Sequence, residues 1–385
     1  MSDKAHGDGG SIPRVLIVGG GVAAVEVMLA LRDLAGERVE VQVCAPRRDF
    51  VYRPFAVGEP YGASQILRFD LGRLAERSGA SFDLQSISSV EADAWQAITH
   101  DGVPIPYDYL ILAAGVQLLW PFPGATAFWG VADEAGIEHV LRGLREGELR
   151  RVAFALPGGC SWALPLYELA LLADAELSKA GVEGAHLVVV TPEEVPLGVF
   201  GIQVGTEVGK LLAERGIEVV AGAHPVKFEQ GILSIAPGDG VEADAVVSLP
   251  RLEGRRIAGI PHDRDGFIGT DEFGRVIGVE RAFAIGDITN FPVKQGGIAT
   301  QQADTAAETI ASEVGCDVEA KPFDPILRGV LWTGEEPRYL YGELSGGHGE
   351  TSSMTVRPPW PDQGGKIVGR YISPFLAEAT EIASH

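Results

Sequence analysis

Three short segments hold the residues whose types and spacing could carry chemistry. The first is Gly19-x-Gly21-x-x-Ala24, standing between a short apolar run and a helical pattern, with Gly20, Val22 and Ala23 in the same turn. Glycines here let the chain turn sharply and leave backbone N–H groups at the helix start uncovered, an arrangement that suits a pyrophosphate. The second is Arg281-Ala-Phe-Ala-Ile-Gly286-Asp287, a strand pattern ending in a carboxylate, with Lys294 and a helix expected to begin around Gly297 just beyond it. Such a carboxylate accepts hydrogen bonds from ligand hydroxyls, and the lysine adds positive charge beside the helix start. The third is Gly158-Gly159-Cys160, where a thiol near a helix start is expected to favour its thiolate. Against that stands the plain reading of Cys160 as a small buried residue.

The elements that must position these groups follow a β-turn-α order. Arg14–Val18 reads as a strand, residues 22–34 as a helix whose Val22, Val25, Val27, Leu29 and Leu31 cover a sheet, and Val39, Val41 and Val43 alternate with polar residues as the next strand. A second unit of the same kind begins near Arg151–Ala155, with a helix expected around Leu166–Leu177 and a strand at His186–Val190. Tyr109–Leu112 and Ala245–Leu249 read as further strands. The fold class expected is α/β: two Rossmann-like dinucleotide-binding domains, the second inserted in the first, and a short C-terminal extension. The divisions are 14–118 and 259–320 for the first domain, 119–258 for the second and 321–385 for the extension. Near the chain's end Ile367, Val368, Tyr371, Ile372, Phe375 and Leu376 share one face if helical, with Pro374 expected to kink or shorten that helix. That face is expected to pack on the first domain or on a second copy in a homodimer, the alternative being a partner- or membrane-facing amphipathic element.

With the motifs in place, a resemblance emerges. The GxGxxA turn, Leu112-Ala113-Ala114-Gly115 and Ala284-Ile-Gly286-Asp287, in this order, resemble the three signatures of the FAD-dependent pyridine nucleotide-disulfide oxidoreductase superfamily, over roughly residues 14 to 310. Phe50-Val-Tyr-Arg53-Pro54-Phe55 looks like the segment that runs past the flavin in sulfide:quinone oxidoreductases and type II NADH dehydrogenases. Leu164–Leu169, Val190–Glu193 and Leu197–Phe200 resemble the sulfide branch, and Ala299-Thr-Gln301-Gln302 resembles the end of a quinone-site motif. The resemblance implies FAD as cofactor and two-electron transfer from a small-molecule donor through flavin to a quinone or other acceptor. It implies cofactor contacts at Gly19, Gly20, Gly21, Val22, Ala23, Ala24, Ala45, Arg47, Arg53, Pro54, Ile87, Ala113, Ala114, Gly115, Gly286, Asp287, Lys294, Gln295 and Gly296. Cys160 and Lys294 are the implied catalytic groups, the lysine by stabilising reduced, anionic flavin.

Several positions depart from that pattern. Ala45, followed by Pro46 and Arg47, stands where an acidic residue would bind the adenosine ribose; Arg47 and Arg48 are expected to stack on adenine or meet phosphate, or to form a solvated basic turn. Gly158-Gly159-Cys160-Ser161-Trp162 lacks GxGxxG spacing, and Trp162 and Pro165 crowd the place of a second dinucleotide. Gly297 replaces the first glutamine of the quinone motif. Sulfide oxidation uses paired thiols, yet Cys44 and Cys316 lie in other segments and no cysteine follows Lys321. Three alternatives therefore stand beside the main reading: an NAD(P)H dehydrogenase with a non-standard nucleotide site, a sulfide or thiol donor acting through Cys160, and a non-catalytic flavin-binding sensor or interaction protein.

Composition sets the outer limits. At 385 residues the chain suits two domains plus an extension, on a prior of about 150 residues each. A formal charge of −22 argues against nucleic acid and anionic lipid surfaces, which both call for clustered Lys and Arg. No run of roughly 18 apolar residues offers a transmembrane segment, and Met1–Pro13 lacks an apolar signal core, so a cytoplasmic protein is expected. The three cysteines and eight histidines are dispersed, which predicts no metal site.

Overall fold

The apolar strands of the first sheet are buried on both faces, by helices on one and, on the other, by loop residues and the antiparallel sheet of Ile87–Glu91, Gln96–Thr99 and Pro104–Pro106. In the computed structural model, which describes residues 11–130, 134–345, 348–361 and 365–383, the first sheet has five parallel strands. Their order is Ala282–Ala284, Tyr109–Leu112, Arg14–Val18, Glu40–Ala45, Ser81–Leu84. The outermost strand, Ala282–Ala284, thus arrives from far along the chain to pair with Leu110–Leu112.

Between those contributions the chain builds a second five-stranded parallel sheet, ordered Thr126–Ala127, Ala245–Ser248, Arg151–Ala155, His186–Val190, Glu218–Val220. The chain passes between the two sheets at Val116–Leu119 and returns at Arg251–Gly254, and these two segments pair as an antiparallel ribbon.

Among the described residues seven α-helices pack on the sheets: α1 (Val22–Leu34), α2 (Leu71–Arg77), α3 (Glu134–Glu146), α4 (Leu164–Ala180), α5 (Ile202–Glu214), α6 (Gly296–Glu313) and α7 (Ile372–Ala383). On the first sheet, Ala23, Ala24 and Ala30 of α1 share a buried cluster with Ala299, Ala303, Ala306 and Ala307 of α6. Small side chains let these two helices lie close, which brings both helix starts to the same end of the sheet. On the second sheet, Val140 and Leu144 of α3, Leu166 and Leu169 of α4, and Val204 and Val208 of α5 close over Val152, Phe154, Val189 and Val247.

The extension first forms a sheet. Ile326–Leu331, Arg338–Ser345 and His348–Thr355 form an antiparallel sheet, and its Leu327, Leu331, Leu340 and Leu344 join the second sheet's core. Only then does the chain turn back to the first sheet through α7. The single amphipathic face expected over Ile367–Leu376 is corrected: Ile367 and Val368 precede α7, and the Ile367 N–H donates to the Tyr52 hydroxyl at 2.9 Å. Pro374 does not kink α7, because it sits in the first turn, where no intrahelical N–H is required. Ile372 and Leu376 bury against the first sheet's cluster, and α7 packs beside α1.

Candidate functional site

The ends of the first sheet's strands meet at the glycine turn. Gly19 has φ +136°, and an added Cβ would fall 2.2 Å from the Ala113 carbonyl oxygen. Its N–H donates to the Cys44 carbonyl at 2.9 Å, while the Ala113 N–H donates to the Val18 carbonyl at 2.8 Å. Gly20 is packed under Leu71 and Ala45. Gly21, the N-cap of α1, differs: nothing lies within 4 Å of its added Cβ, and no side chain caps the helix. Gly115, at φ +67°, is equally open. The start of α1, with Val22, Ala23 and Ala24 in its first turn, is therefore uncapped by any side chain and open at Gly21. Ile87 begins the strand Ile87–Glu91 and packs half-buried on the opposite face of the same sheet.

Gly286, at φ +75°, fits against Ala23 of α1 and Ala299 of α6. Asp287 follows, half-buried, and among the described residues no protein donor reaches its carboxylate. Burial raises its pKa, while Lys294 and Arg53 oppose that rise. Lys294 is buried, donates to the Thr289 carbonyl and lies 4.0 Å from the centroid of Phe267. Burial lowers its pKa to about 8, against the opposing pull of Asp287 and Asp263.

At α6 the helix start accounts for several of the amides singled out from sequence. Gln295 is the N-cap: its Oε1 accepts the Ile298 N–H at 2.9 Å and its Nε2 donates to the Arg328 carbonyl at 3.1 Å. Gly296 is small because Ile367 presses on it, 2.3 Å from an added Cβ. Gln301 Nε2 donates to the Gly297 and Ile326 carbonyls and its Oε1 accepts the Ile326 N–H, which ties α6 to the extension's first strand. Gln302 accepts the Gly286 N–H at 2.7 Å and so fixes the turn before Asp287. The two glutamines that resemble a quinone motif thus have their amides engaged in holding the fold.

Arg53 and Pro54 open a short 3₁₀ segment, Arg53–Tyr61, after the strand Asp49–Tyr52. Desolvation lowers the Arg53 pKa, Arg47 and Arg255 lower it further, and Asp287 opposes them. Arg48 pairs with Asp70 at 2.7 Å through its Nε. Arg255 was not singled out by the sequence; its only signal there is an Arg255-Arg256 pair in an acidic chain.

Around Cys160 the expectation of a stabilised thiolate is overturned. Cys160 lies outside α4, its thiol donates to the Trp162 carbonyl at 3.5 Å, and burial, reinforced by Glu193, pushes it up to about 12. Cys44 is also buried, its thiol bonded to the Gln85 carbonyl and pushed up to about 11, and Cys316 lies beyond α6; all three are free. The Lys294 N–H donates to the Ser161 carbonyl at 3.3 Å, which sets the Cys160 loop against the Asp287–Lys294 corner. Glu193, just past the strand where a nucleotide unit would carry its ribose-binding carboxylate, instead accepts the hydroxyls of Tyr167 at 2.5 Å and Thr191 at 3.1 Å. Trp162 packs on Phe200, 5.8 Å between ring centroids.

One further cluster escaped the motif search. Lys366 forms a buried ion pair with Glu168 of α4, and the Trp332 N–H donates to the same carboxylate oxygen at 2.8 Å. Lys366 lies 4.4 Å from the Trp332 ring centroid, and Trp332 stacks on Phe55, which meets Tyr52 edge-on. Among the described residues the buried Glu168 Oε2 has no hydrogen-bond partner. A lone acid within the apolar run Leu164–Ala173 was the available signal.

Among the described residues no cluster of His, Cys, Asp or Glu is arranged to hold a metal, and no helix is long and apolar enough to cross a membrane. A family model for pyridine nucleotide-disulphide oxidoreductases matches residues 13–308. An NADH dehydrogenase-like protein of Mycobacterium tuberculosis is 24% identical over 335 residues, 82% of each chain. The sulfide-quinone reductase of Aquifex aeolicus is 25% identical over 267 residues, covering 65% of this chain and 61% of that protein. The X-ray structure of the Aquifex aeolicus sulfide:quinone oxidoreductase superposes with a TM-score of 0.79 over 96% of this chain and 90% of that one, at 20% identity, a likeness of fold.

Proposed function

Because the chain belongs to the pyridine nucleotide-disulphide oxidoreductase family, we propose that it binds FAD along its first sheet and moves two electrons from a small donor to a quinone or other acceptor. The observation that carries this reading is Asp287. It is a desolvated carboxylate that no protein donor among the described residues reaches, just past a strand end, between two helix starts. A polyhydroxyl chain would satisfy it, and the open α1 start beside it suits a diphosphate, so the residues fit a flavin dinucleotide. FAD, when bound, supplies the two-electron chemistry itself.

The protein's own groups then have distinct tasks. Gly19 and Gly20 hold the turn, while Gly21 and the first N–H groups of α1 bind the diphosphate. Asp287 accepts hydroxyls. Lys294, with its pKa lowered to about 8, keeps a positive charge beside the start of α6, and both favour negative charge on the bound ring.

The second sheet gives little support to a standard pyridine-nucleotide donor. Glu193 is bound by Tyr167 and Thr191, and Pro165 near the start of α4 removes an N–H that a diphosphate would use. A sulfide donor acting through Cys160 would need a thiolate that burial disfavours.

The deciding experiment is a visible spectrum of the purified protein, followed by anaerobic addition of NADH, NADPH and sulfide, each with and without a short-chain quinone. A flavin spectrum that one donor bleaches and quinone restores supports the reading and names the donor. Folded protein that neither contains nor takes up FAD overturns it. FAD that no donor bleaches favours the sensor alternative.

A further inference from the structure

Glu26 is fully buried in the middle of α1, between Val25 and Val27. Its two carboxylate oxygens accept the N–H groups of Tyr371 at 3.0 Å and Ile372 at 2.6 Å, so the start of α7 is capped by a side chain of another helix. An ionised carboxylate suits that place, because it meets the positive end of the α7 dipole.

A second acid is brought to the same spot by α6. Thr300, Asp304 and Glu308 follow one another at four-residue spacing and so lie along one face of that helix. Thr300 donates its hydroxyl to the Val368 carbonyl at 3.1 Å, and Glu308 pairs with Arg370 at 3.1 Å, which sets the face against the strap that leads into α7. Gly369 fits between the two helices: an added Cβ would lie 2.9 Å from Thr300 and 3.1 Å from Glu26 Oε1. Asp304, one turn beyond Thr300, meets the Glu26 carboxyl there, and among the described residues no donor reaches its buried Oδ1. A proton held between the two acids turns this unsatisfied contact into a hydrogen bond.

We propose that Glu26 and Asp304 share one proton and that this proton latches the tail: while it stays α7 is docked on α1 and α6, and once it leaves α7 and the strap come free. Two ionised carboxyls in contact away from water repel each other. Burial, and then Glu26, push the Asp304 carboxyl up to about 8; Arg370 opposes and Glu308 adds to the rise. The remaining charged groups on the elements packed here are engaged elsewhere or exposed. Arg370 is exposed and bound to Glu308, Lys366 of the strap is paired with Glu168, Asp33 of α1 accepts the Tyr371 hydroxyl at 3.2 Å, and Glu378 of α7 faces solvent. The docked carboxyl holds its proton above the ordinary 3.8, so opening releases a proton; it becomes easier as pH rises toward about 8 and levels off beyond. The freed segment includes Ile367, whose N–H donates to the Tyr52 hydroxyl, and Phe375, 5.1 Å from Phe69 between ring centroids. Opening therefore loosens the strand Asp49–Tyr52 and the Arg53–Tyr61 segment that it feeds.

The test is hydrogen exchange of the full-length protein, read by mass spectrometry from pH 5.5 to 9 and corrected for intrinsic rates, for the wild type, Asp304→Asn and Asp304→Ser. In the wild type, opening of peptides covering Ile372–Leu376 should grow at least about tenfold between pH 6 and pH 8 and then level off, while the strand Arg151–Ala155 keeps constant protection. In Asp304→Asn, whose side chain is neutral and still donates to Glu26, that opening should stay within about twofold over the whole range. Wild-type opening that does not change with pH, or that keeps its slope in Asp304→Asn, overturns the latch. So does opening that grows toward acid, which would assign release to protonation of Glu26. Exposure of Arg151–Ala155 in step with α7 also overturns it, since the whole fold would then be opening. Should Asp304→Asn fail to fold, Asp304→Ser, which also removes the charge, carries the same comparison.

Discussion

Lys366 and Glu168, 198 positions apart, form an ion pair sealed from solvent between the returning tail and α4. Burial raises the Glu168 pKa, with Lys366 opposing, and lowers that of Lys366, with Glu168 opposing. Each charge is thus tolerable only beside the other. Lys366→Met alone should cost about 3–5 kcal/mol, the penalty for stranding a buried charge, whereas Lys366→Met combined with Glu168→Leu should recover most of it. Urea unfolding of both single variants and the double variant checks this; additive losses would mean the pair is not coupled.

Glu26 of α1 makes a further tail attachment. Its carboxylate accepts the N–H groups of Tyr371 at 3.0 Å and Ile372 at 2.6 Å, capping α7 from a different helix. Asp304 of α6 lies beside it, pushed up to about 8 by burial and then by Glu26; Arg370 opposes and Glu308 adds to the rise. The folded pKa is raised above the ordinary 3.8, so this carboxyl's contribution to stability is full below about pH 4 and is lost as pH rises through about 8. Thermal unfolding midpoints should therefore fall between pH 5 and pH 9, and Asp304→Asn should remove much of that slope. An unchanged slope in the variant would exclude Asp304 as its source.

Cys160 should behave as an inert thiol. Burial, with Glu193 adding to it, pushes its pKa up to about 12, so the thiol form dominates at pH 8. Alkylation of native protein by iodoacetamide at pH 8 should spare Cys160 for hours, and Cys160→Ser should change flavin reduction by any donor less than about twofold. Rapid modification, or loss of reduction by sulfide alone, would restore the redox role that the sequence first suggested.

What the sequence disclosed was local. Strand, turn and helix at 14–34 are readable because apolar runs, glycines and helical spacing agree within a few residues, and the same holds for the turn before Asp287. Legibility fails where a residue's meaning depends on a distant partner. Gln301 and Gln302 look like ligand-binding amides until Ile326 and Gly286 are seen to occupy them. Cys160 sits near a helix start in sequence, yet its environment is set by burial and by Glu193. Arg255 and the Lys366–Glu168 pair carry no motif, since contacts across 198 positions leave no local spacing to read.

The glycine turn offers a contrast between packing and ligand access within three residues. Gly19 is required by the fold: φ +136° and a 2.2 Å approach to Ala113 leave no room for a side chain. Gly19→Ala should therefore destabilise the protein by several kcal/mol whether or not a cofactor is bound. Gly21 has φ −94° and ψ −168°, extended backbone open to a β-branched residue, with nothing within 4 Å. Gly21→Val should change the stability of flavin-stripped protein by less than about 1 kcal/mol, yet place its methyl groups in the path of a diphosphate and lower FAD affinity more than tenfold. Denaturant titration and FAD binding measured side by side separate the two roles. If Gly21→Val binds FAD as the wild type does, the α1 start is not where the diphosphate sits.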